Sequence, residues 1–139
     1  MQKVIIDTNV IISALISSHG IPAKIVDELF IEEKIILCIS NDVFAEYLDV
    51  IDREKFRKYK NFLSKAEIVV GYMEEMAEHF VTAKIYHKLP DKSDNKFIDL
   101  AIYSNADFII TGNKNDFNIS HIGKTLIVTP TEYWENYKP

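Results

Sequence analysis

Short runs of purely apolar residues alternate with stretches of helical spacing along this chain, and this alternation restricts the fold more than any other feature. Val4-Ile5-Ile6 comes first, and Val10, Ile11, Ala14 and Leu15 follow at the spacing of one helix face. A strand whose consecutive residues are all apolar is buried on both faces, as in a parallel sheet with helices on each side. The pattern therefore predicts an α/β fold with a parallel central sheet.

The predicted order of elements is β-α-α-β-α-α-α-β-α-β-β-α, which is typical of a sheet built from strand–helix–strand units. Apolar runs bounded by polar residues mark the strands. We expect strands at Lys3–Asp7, Ile35–Ile39, Phe80–Ala83, Phe108–Thr111 and Leu126–Val128.

Capping residues mark where helices begin. Pro22 suits the first position of a helix, because its missing N–H costs nothing there. Ser64-x-x-Glu67 and Thr129-Pro130-Thr131-Glu132 are capping-box sequences, each predicting a helix start. The other helical segments are expected at Asn9–Ser17, after Ser40 or Asn41, at Lys55–Phe62 and from Asp94 to Asn105.

The size and composition fit one compact domain, residues 1–139. With 139 residues, 47% of them apolar, the chain can bury a core. No apolar run approaches the length of a membrane span, and the residues before Val4 lack the form of a signal peptide. The single cysteine, Cys38, is expected to be a small buried apolar residue. We therefore expect a cytoplasmic protein with no membrane partner.

The formal net charge is −5, which argues against a protein that holds nucleic acid by phosphate contacts alone. It does not exclude an enzyme whose acidic residues bind metal cations, because the bound metals then contact the phosphate. One local basic run interleaves aromatic residues and suits a nucleic-acid strand, although the solvated face of an amphipathic helix is the favoured interpretation. Its basic residues are Arg53, Lys55, Arg57, Lys58 and Lys60.

Polar side chains follow the predicted strands at the edge where parallel α/β sheets bind ligands. Asp7 comes directly after the first strand. Ser40 follows the second strand, and Glu46 lies roughly one and a half turns into the next helix. The segment after the Phe108 strand carries Thr111, Asn113 and Asp116.

The helix before that late strand adds Asp94, Asn95 and Asp99. Converging carboxylates repel one another unless a cation neutralises them, and oxygen ligands favour Mg²⁺ or Mn²⁺ over zinc. Each acid also has a purely structural interpretation, as a helix cap for Asp7 and Asp94 and as a turn or surface residue for the others. The order of the whole set, rather than any one member, indicates a metal site.

In this order the residues resemble the PIN-domain ribonuclease family, in particular its toxin-like branch, which includes the VapC-type toxins of toxin–antitoxin systems. A strand followed by Asp-Thr-Asn is moderately specific alone, and its combination with Thr-x-Asn-x-x-Asp-Phe after a late strand is strongly specific. The matching segments are Val4-Ile5-Ile6-Asp7-Thr8-Asn9-Val10, Ser40 with Glu46, Asp94-Asn95-Lys96-Phe97-Ile98-Asp99-Leu100-Ala101, and Thr111-Gly112-Asn113-Lys114-Asn115-Asp116-Phe117.

The resemblance implies a Rossmann-like, three-layer fold and Mg²⁺- or Mn²⁺-dependent cleavage of RNA. By position, Asp7, Glu46 and Asp116 match the first, second and fourth acidic residues of the family. Counted back without gaps from Thr111, the third aspartate falls on Asn95, which carries no charge. For the third acid, Asp94 is our first choice and Asp99 our second.

The mechanism implied places one or two ions among Asp7, Asp94, Asp99 and Asp116, with Glu46 as a ligand or as the base that orients water. The metal would activate water and neutralise charge developing on the scissile phosphate. The candidate supporting residues, which could equally cap loops, are Thr8, Asn9, Ser40, Asn95, Thr111 and Asn113.

The resemblance further implies an RNA substrate that is single-stranded or a structured loop, a homodimer and a protein antitoxin. Two other functions stay open from the sequence. A phosphatase of the haloacid-dehalogenase kind would use Asp7 as a nucleophile, but it needs a second aspartate two residues on, where this chain has Asn9. A non-catalytic RNA- or protein-interaction domain is the other, and it stays open because Asn95 stands where one acid is expected.

Overall fold

The computed structural model describes all residues from 1 to 139. The strands are β1 (Lys3–Ile6), β2 (Ile36–Ser40), β3 (Glu78–Phe80), β4 (Phe108–Ile110), β5 (His121–Ile122) and β6 (Thr125–Val128). The helices are α1 (Thr8–Ile16), α2 (Ile21–Lys24), α3 (Asn41–Ile51), α4 (Phe62–Met76), α5 (Asn95–Ser104) and α6 (Pro130–Glu132). Helices α2 and α6 continue as π-helical turns at Ile25–Phe30 and Tyr133–Tyr137, and 3₁₀ turns lie at Glu54–Phe56, Lys92–Asp94 and Lys114–Asp116.

The strands form one six-stranded sheet in the order β3-β2-β1-β4-β6-β5, parallel except for β5. Val4, Ile5 and Ile6 of β1 are all 0% exposed, although successive side chains of a strand point to opposite faces. Both faces of the sheet are therefore covered, and the predicted three-layer α/β fold is confirmed. The strand order reverses beside β1, because β2 and β3 lie on one side of it and β4, β6 and β5 on the other. Ligands of α/β folds bind at the carboxyl ends of the strands at such a point.

The helices pack where their apolar faces require. Helix α1 packs against α2, α3 and α4, and α5 packs on β1, β2 and β3. No single helix has the length and apolar composition to cross a membrane; α1 and Ile21–Phe30 pass such a test only together, across a bend of 97°.

Several local predictions are confirmed. Ser40 caps α3, since its Oγ accepts a hydrogen bond from the Val43 N–H at 3.2 Å. Thr129 and Glu132 form the predicted capping box. Cys38 is 0% exposed, as expected for a small core residue.

The segment between α3 and α4 differs from the prediction. The prediction of a helix at Lys55–Phe62 is wrong. Within and beside this segment only Glu54–Phe56 forms a 3₁₀ turn, and Asn61 takes a left-handed conformation with φ of 65°. Helix α4 begins at Phe62, whose ring stacks on that of Phe56, and the Ser64 hydroxyl donates to the Asn61 carbonyl instead of capping a helix. Burial of the Phe62 ring therefore decides where α4 begins.

The two edge strands of the sheet, β3 and β5, also differ from the prediction. The strand predicted at Phe80–Ala83 ends at Phe80, where its pairing with Ser40 of β2 ends. The two-residue strand β5 was not predicted, because so short a segment carries no periodicity. It pairs antiparallel with β6.

Candidate active site

Asp7 stands where β1 ends and α1 begins. Its Oδ1 accepts a hydrogen bond from the Thr8 N–H at 2.8 Å, so Asp7 caps α1. Its Oδ2 accepts a second hydrogen bond from the Thr111 hydroxyl at 2.7 Å. The residue is only 7% exposed. The same carboxylate can therefore be both a helix cap and a member of a site, since one oxygen faces the end of β4.

The charge state of Asp7 reflects its burial. Loss of hydration raises its pKa from 3.8 to about 6; the hydrogen bonds from Thr111 and Thr8 oppose this rise, whereas the charges of Glu46 and Asp116 add to it. Near neutral pH, the negative charge on Asp7 is therefore less stable in the folded protein than it would be in water.

Asp94 is also affected by neighbouring acids. Its pKa is raised from 3.8 to about 7, first by burial and then by the charges of Asp7, Asp91, Asp116 and Glu46. Asp94 stands at the N-cap position of α5, but its side chain makes no capping hydrogen bond, so its interpretation as a side-chain cap is wrong. Its carboxylate belongs electrostatically to the group around Asp7.

Glu46 reaches the site from α3 and is held at both oxygens. Oε2 accepts a hydrogen bond from the Thr8 hydroxyl, and Oε1 accepts one from the Lys96 Nζ at 2.7 Å. The side chains of Lys96 and Glu46 are 23% and 20% exposed. The buried Tyr47 hydroxyl donates to the Ile6 carbonyl, which ties α3 to the residue just before Asp7.

Sequence reasoning assigned no role to Lys96. The available signal was its position directly after Asn95 in the segment that resembles the PIN family, because a lysine beside an acidic set has an obvious partner among its carboxylates. That the partner is Glu46, 50 residues away, depends on the packing of α3 against α5.

The loop after β4 brings Asp116 towards Asp7. Asn113 connects the two, because its N–H donates to the Thr111 Oγ at 3.1 Å and its Nδ2 donates to the Asp116 Oδ2 at 2.7 Å. Asn9 also contacts this loop, through a 3.1 Å hydrogen bond from the Gly112 N–H to its Oδ1. Two of the candidate supporting residues, Ser40 and Asn95, make no hydrogen bond to an acid or to this loop; the Ser40 hydroxyl accepts from the Val43 N–H.

Asn95 and Asp99 point to a different neighbour. Asn95 Oδ1 accepts a hydrogen bond from the Leu89 N–H at 3.1 Å, and Asp99 Oδ1 accepts from the N–H groups of Ile85 and Tyr86 at 3.2 and 2.7 Å. Asp99 is absent from the charges that raise the pKa values of Asp7 and Asp94. Of the three candidates for the third acid, Asp94 is therefore the one that interacts with Asp7.

The donor chemistry of this group suits a hard divalent cation. Asp7, Glu46, Asp94 and Asp116 offer only carboxylate oxygens, the ligands that Mg²⁺ and Mn²⁺ prefer. Burial and, after it, mutual repulsion raise the pKa values of Asp7 and Asp94, and a cation would relieve that repulsion. In this conformation no three acidic, histidine or cysteine side chains are arranged to hold one ion. Asp94 is half-buried and Asp116 exposed, so these two have room to rotate.

Comparison with known proteins agrees with this geometry. The chain matches the model of the PIN domain over residues 3–115, and it therefore belongs to the PIN-domain family, whose members are generally nucleases. An uncharacterised protein of Methanocaldococcus jannaschii is 34% identical over 144 residues, which cover 98% of this chain and 92% of that protein.

A solved structure has the same fold. It is VapBC2 from Rickettsia felis, bound to a DNA fragment from their promoter, which aligns with a TM-score of 0.63 over 92% of this chain and 98% of that one. The two sequences are 19% identical, so the likeness concerns the fold. The resemblance to PIN domains seen in the sequence is confirmed.

Proposed function

We propose that this PIN domain is a Mg²⁺- or Mn²⁺-dependent endoribonuclease that cleaves RNA phosphodiester bonds in the cytoplasm. The observation that carries the proposal is the grouping of Asp7, Glu46, Asp94 and Asp116 beside the end of β1, where mutual charge contributes to raised pKa values of Asp7 and Asp94. Such a group is unfavourable without a cation. Membership of the PIN family supports nuclease chemistry at this group.

In this proposal Asp7, Asp94 and Asp116 hold the metal. When bound, the ion activates water and neutralises charge developing on the scissile phosphate. The protein supplies the positioning: Thr8 and Thr111 hold the two oxygens of Asp7. Glu46, held by Thr8 and Lys96, orients the attacking water in line with the leaving oxygen. Asp94, half-buried, and Asp116, exposed, would complete the set of carboxylates around Asp7. Asp99, which the sequence also offers as a ligand, is left out of this set because its Oδ1 accepts the Ile85 and Tyr86 amides.

We also propose that the chain acts as one domain, residues 1–139, and as the toxin of a toxin–antitoxin system, forming a homodimer and binding a protein antitoxin. The likeness in fold to VapBC2 supports this assignment. An antitoxin that inhibits by occupying the site would place a basic side chain among the carboxylates, because the group already carries several negative charges.

The test is cleavage of single-stranded RNA and of total RNA by the purified protein, with Mg²⁺, with Mn²⁺ and with a chelator. We expect discrete cleavage sites that require the metal and disappear with Asp7→Asn. An Asp7→Asn variant as active as the parent would contradict the mechanism. If the folded protein shows neither cleavage nor any metal-dependent rise in melting temperature, it is the non-catalytic interaction domain instead. Trapping of a phosphate on Asp7 would identify a phosphatase.

A further inference from the structure

A polar cleft of about 720 Å³ opens beside the four acids, and it is lined by one of them, Glu46, and by its ion-pair partner Lys96. One wall is α3, which contributes Asp42 and Asp49, together with Arg53 just beyond its end. The opposite wall comes from residues 81–91, which form neither helix nor strand and which we call the strap, together with the 3₁₀ turn that follows it. The cleft therefore leads away from the place where the proposed chemistry occurs.

The strap is held in place by two buried side chains of α5. Asn95, 8% exposed, accepts one strap N–H, and Asp99, 4% exposed, accepts two more. Buried polar side chains that accept three N–H groups of an irregular segment favour one conformation of it, since each amide would otherwise need another partner. The strap wall is consequently a surface of defined shape.

The strap wall is cationic in a chain whose net charge is −5. Lys84, His87 and Lys92 line it and are exposed, and neither lysine is engaged in an ion pair. Two carboxylates beside these lysines already accept hydrogen bonds: Asp99 from two backbone amides of the strap, and Asp91 of the strap from the N–H and hydroxyl of Ser93.

The α3 wall has the opposite character. Its cation Arg53 lies 3.7 Å from Asp49, and the cation Lys96 at the floor lies 2.7 Å from Glu46. Asp42 adds a further carboxylate. Carboxylates accept hydrogen bonds from hydroxyl and amino groups, whereas unpaired lysines attract phosphates. The two walls thus suit the two sides of a nucleotide chain, with phosphates on the strap and ribose 2′-hydroxyls or base amino groups towards α3.

We infer that this cleft binds the single-stranded RNA segment adjacent to the scissile phosphate, with its phosphates on Lys84 and Lys92; the inference rests on the proposed function. Tyr86, half-buried in the same wall, offers a ring on which a base can stack. A duplex has no splayed bases to stack, so a single strand is the form that uses both walls. Asn95 and Asp99 act through the strap as positioning residues.

The test measures binding of a fluorescent single-stranded RNA of ten nucleotides by anisotropy, with Mg²⁺ present and in an Asp7→Asn background that prevents cleavage. Lys84→Glu with Lys92→Glu is compared with Lys58→Glu with Lys60→Glu. The control pair makes the same change in net charge on exposed residues that do not line the cleft. It also tests the basic run as a rival RNA surface.

We expect the Lys84/Lys92 pair to weaken binding about tenfold or more and to reduce the slope of log K against log salt by about 1.4, as for two lost phosphate contacts to a single strand. The control pair should change binding less than about threefold, through long-range charge alone. Equal weakening by both pairs, or a larger effect of the control pair, would overturn the inference.

Cleavage assays separate this inference from the proposed function. In chains that retain Asp7, the Lys84/Lys92 pair should raise KM about tenfold and leave kcat nearly unchanged. If the parent cleaves RNA and this pair leaves KM unchanged, the cleft assignment fails while the nuclease stands. If the parent cleaves no RNA but the pair still governs binding, the nuclease fails and the RNA-binding cleft stands.

Discussion

The hydroxyl of Thr111 donates a 2.7 Å hydrogen bond to Oδ2 of Asp7 across 104 residues of sequence. The contact follows from the register of the sheet, in which Ile6 of β1 lies opposite Ile110 of β4, so that the next residue of each chain segment meets the other. The same Thr111 oxygen accepts the N–H of Asn113, which in turn holds Asp116. One buried hydroxyl therefore joins the first acid of the site to the loop of the last.

Replacing Thr111 with valine should impair metal binding. The change keeps the side-chain shape but removes the donor to buried Asp7, so we expect a loss of about 1–3 kcal/mol in the free energy of unfolding and a further rise in the pKa of Asp7. The Mg²⁺ concentration for half-maximal thermal stabilisation should rise. Thr125→Val is the matched control, because Thr125 also makes a buried hydrogen bond, to the Ala106 carbonyl. If this Mg²⁺ concentration changes in neither variant, Thr111 does not have this role.

The metal-free protein should lose stability as pH rises. Folding raises the pKa of Asp7 from 3.8 to about 6 and that of Asp94 from 3.8 to about 7. The folded state therefore binds more protons than the unfolded chain between these values, and this contribution is fully present below pH 3.8 and lost as pH rises through about 7. For Asp7 alone the loss is about 3 kcal/mol.

The measurement is urea unfolding between pH 4 and pH 8 with a chelator present, these values bracketing the range that the two pKa values define. Asp7→Asn should flatten the pH dependence and be the more stable chain at the upper end. Added Mg²⁺ should restore stability there to the parent and not to the variant. If the stability of the parent instead rises across the whole pH range, folding does not raise the pKa values of these two carboxyl groups.

Substitutions of Asp94 and of Asp99 should have different effects. Asp94→Ala should abolish most of the rise in melting temperature that Mg²⁺ causes, because this carboxylate interacts with Asp7. Asp99→Ala should keep that rise and instead lower the free energy of unfolding by about 1–3 kcal/mol, because it leaves the Ile85 and Tyr86 amides without their acceptor. The reverse pattern would make Asp99 the third ligand, as the second choice from the sequence has it.

The ion pair between Glu46 and Lys96 should stabilise the fold measurably. A double-mutant cycle with Glu46→Gln and Lys96→Met should give a coupling of about 1 kcal/mol, since both side chains are mostly buried and 2.7 Å apart. The control cycle is Asp49→Asn with Arg53→Met, a pair 3.7 Å apart with side chains 78% and 52% exposed, for which we expect almost no coupling. Equal couplings in the two cycles would refute a special role for the inner pair.

Features that depend on nearby residues were predictable from the sequence. The strand Val4-Ile5-Ile6 is recognisable from three consecutive apolar residues, and Asp7 from its place directly after them. The capping box at Thr129 and Glu132 was predictable for the same reason, because its hydrogen bonds join residues three apart.

Other local patterns gave the wrong element because a distant contact overrode them. Ser64 and Glu67 have the spacing of a capping box, yet α4 starts earlier so that the Phe62 ring stacks on Phe56. The basic run reads as an amphipathic helix, yet the Arg57 guanidinium donates to the Ile51 and Asp52 carbonyls at the end of α3. The Arg57 guanidinium therefore stabilises the connection between α3 and α4.

The sequence by itself determined the α/β alternation and the acids that follow its strands, because apolar periodicity and adjacency act over a few residues. It also indicated that Asn95 and Asp99, four apart, share one face of α5. Only the tertiary structure decided that this face holds the strap and that the charges of Asp94 and Asp7 interact. The pairing of Lys96 with Glu46 was decided there too, because contacts between elements depend on how each helix is rotated against its neighbours when the core is buried.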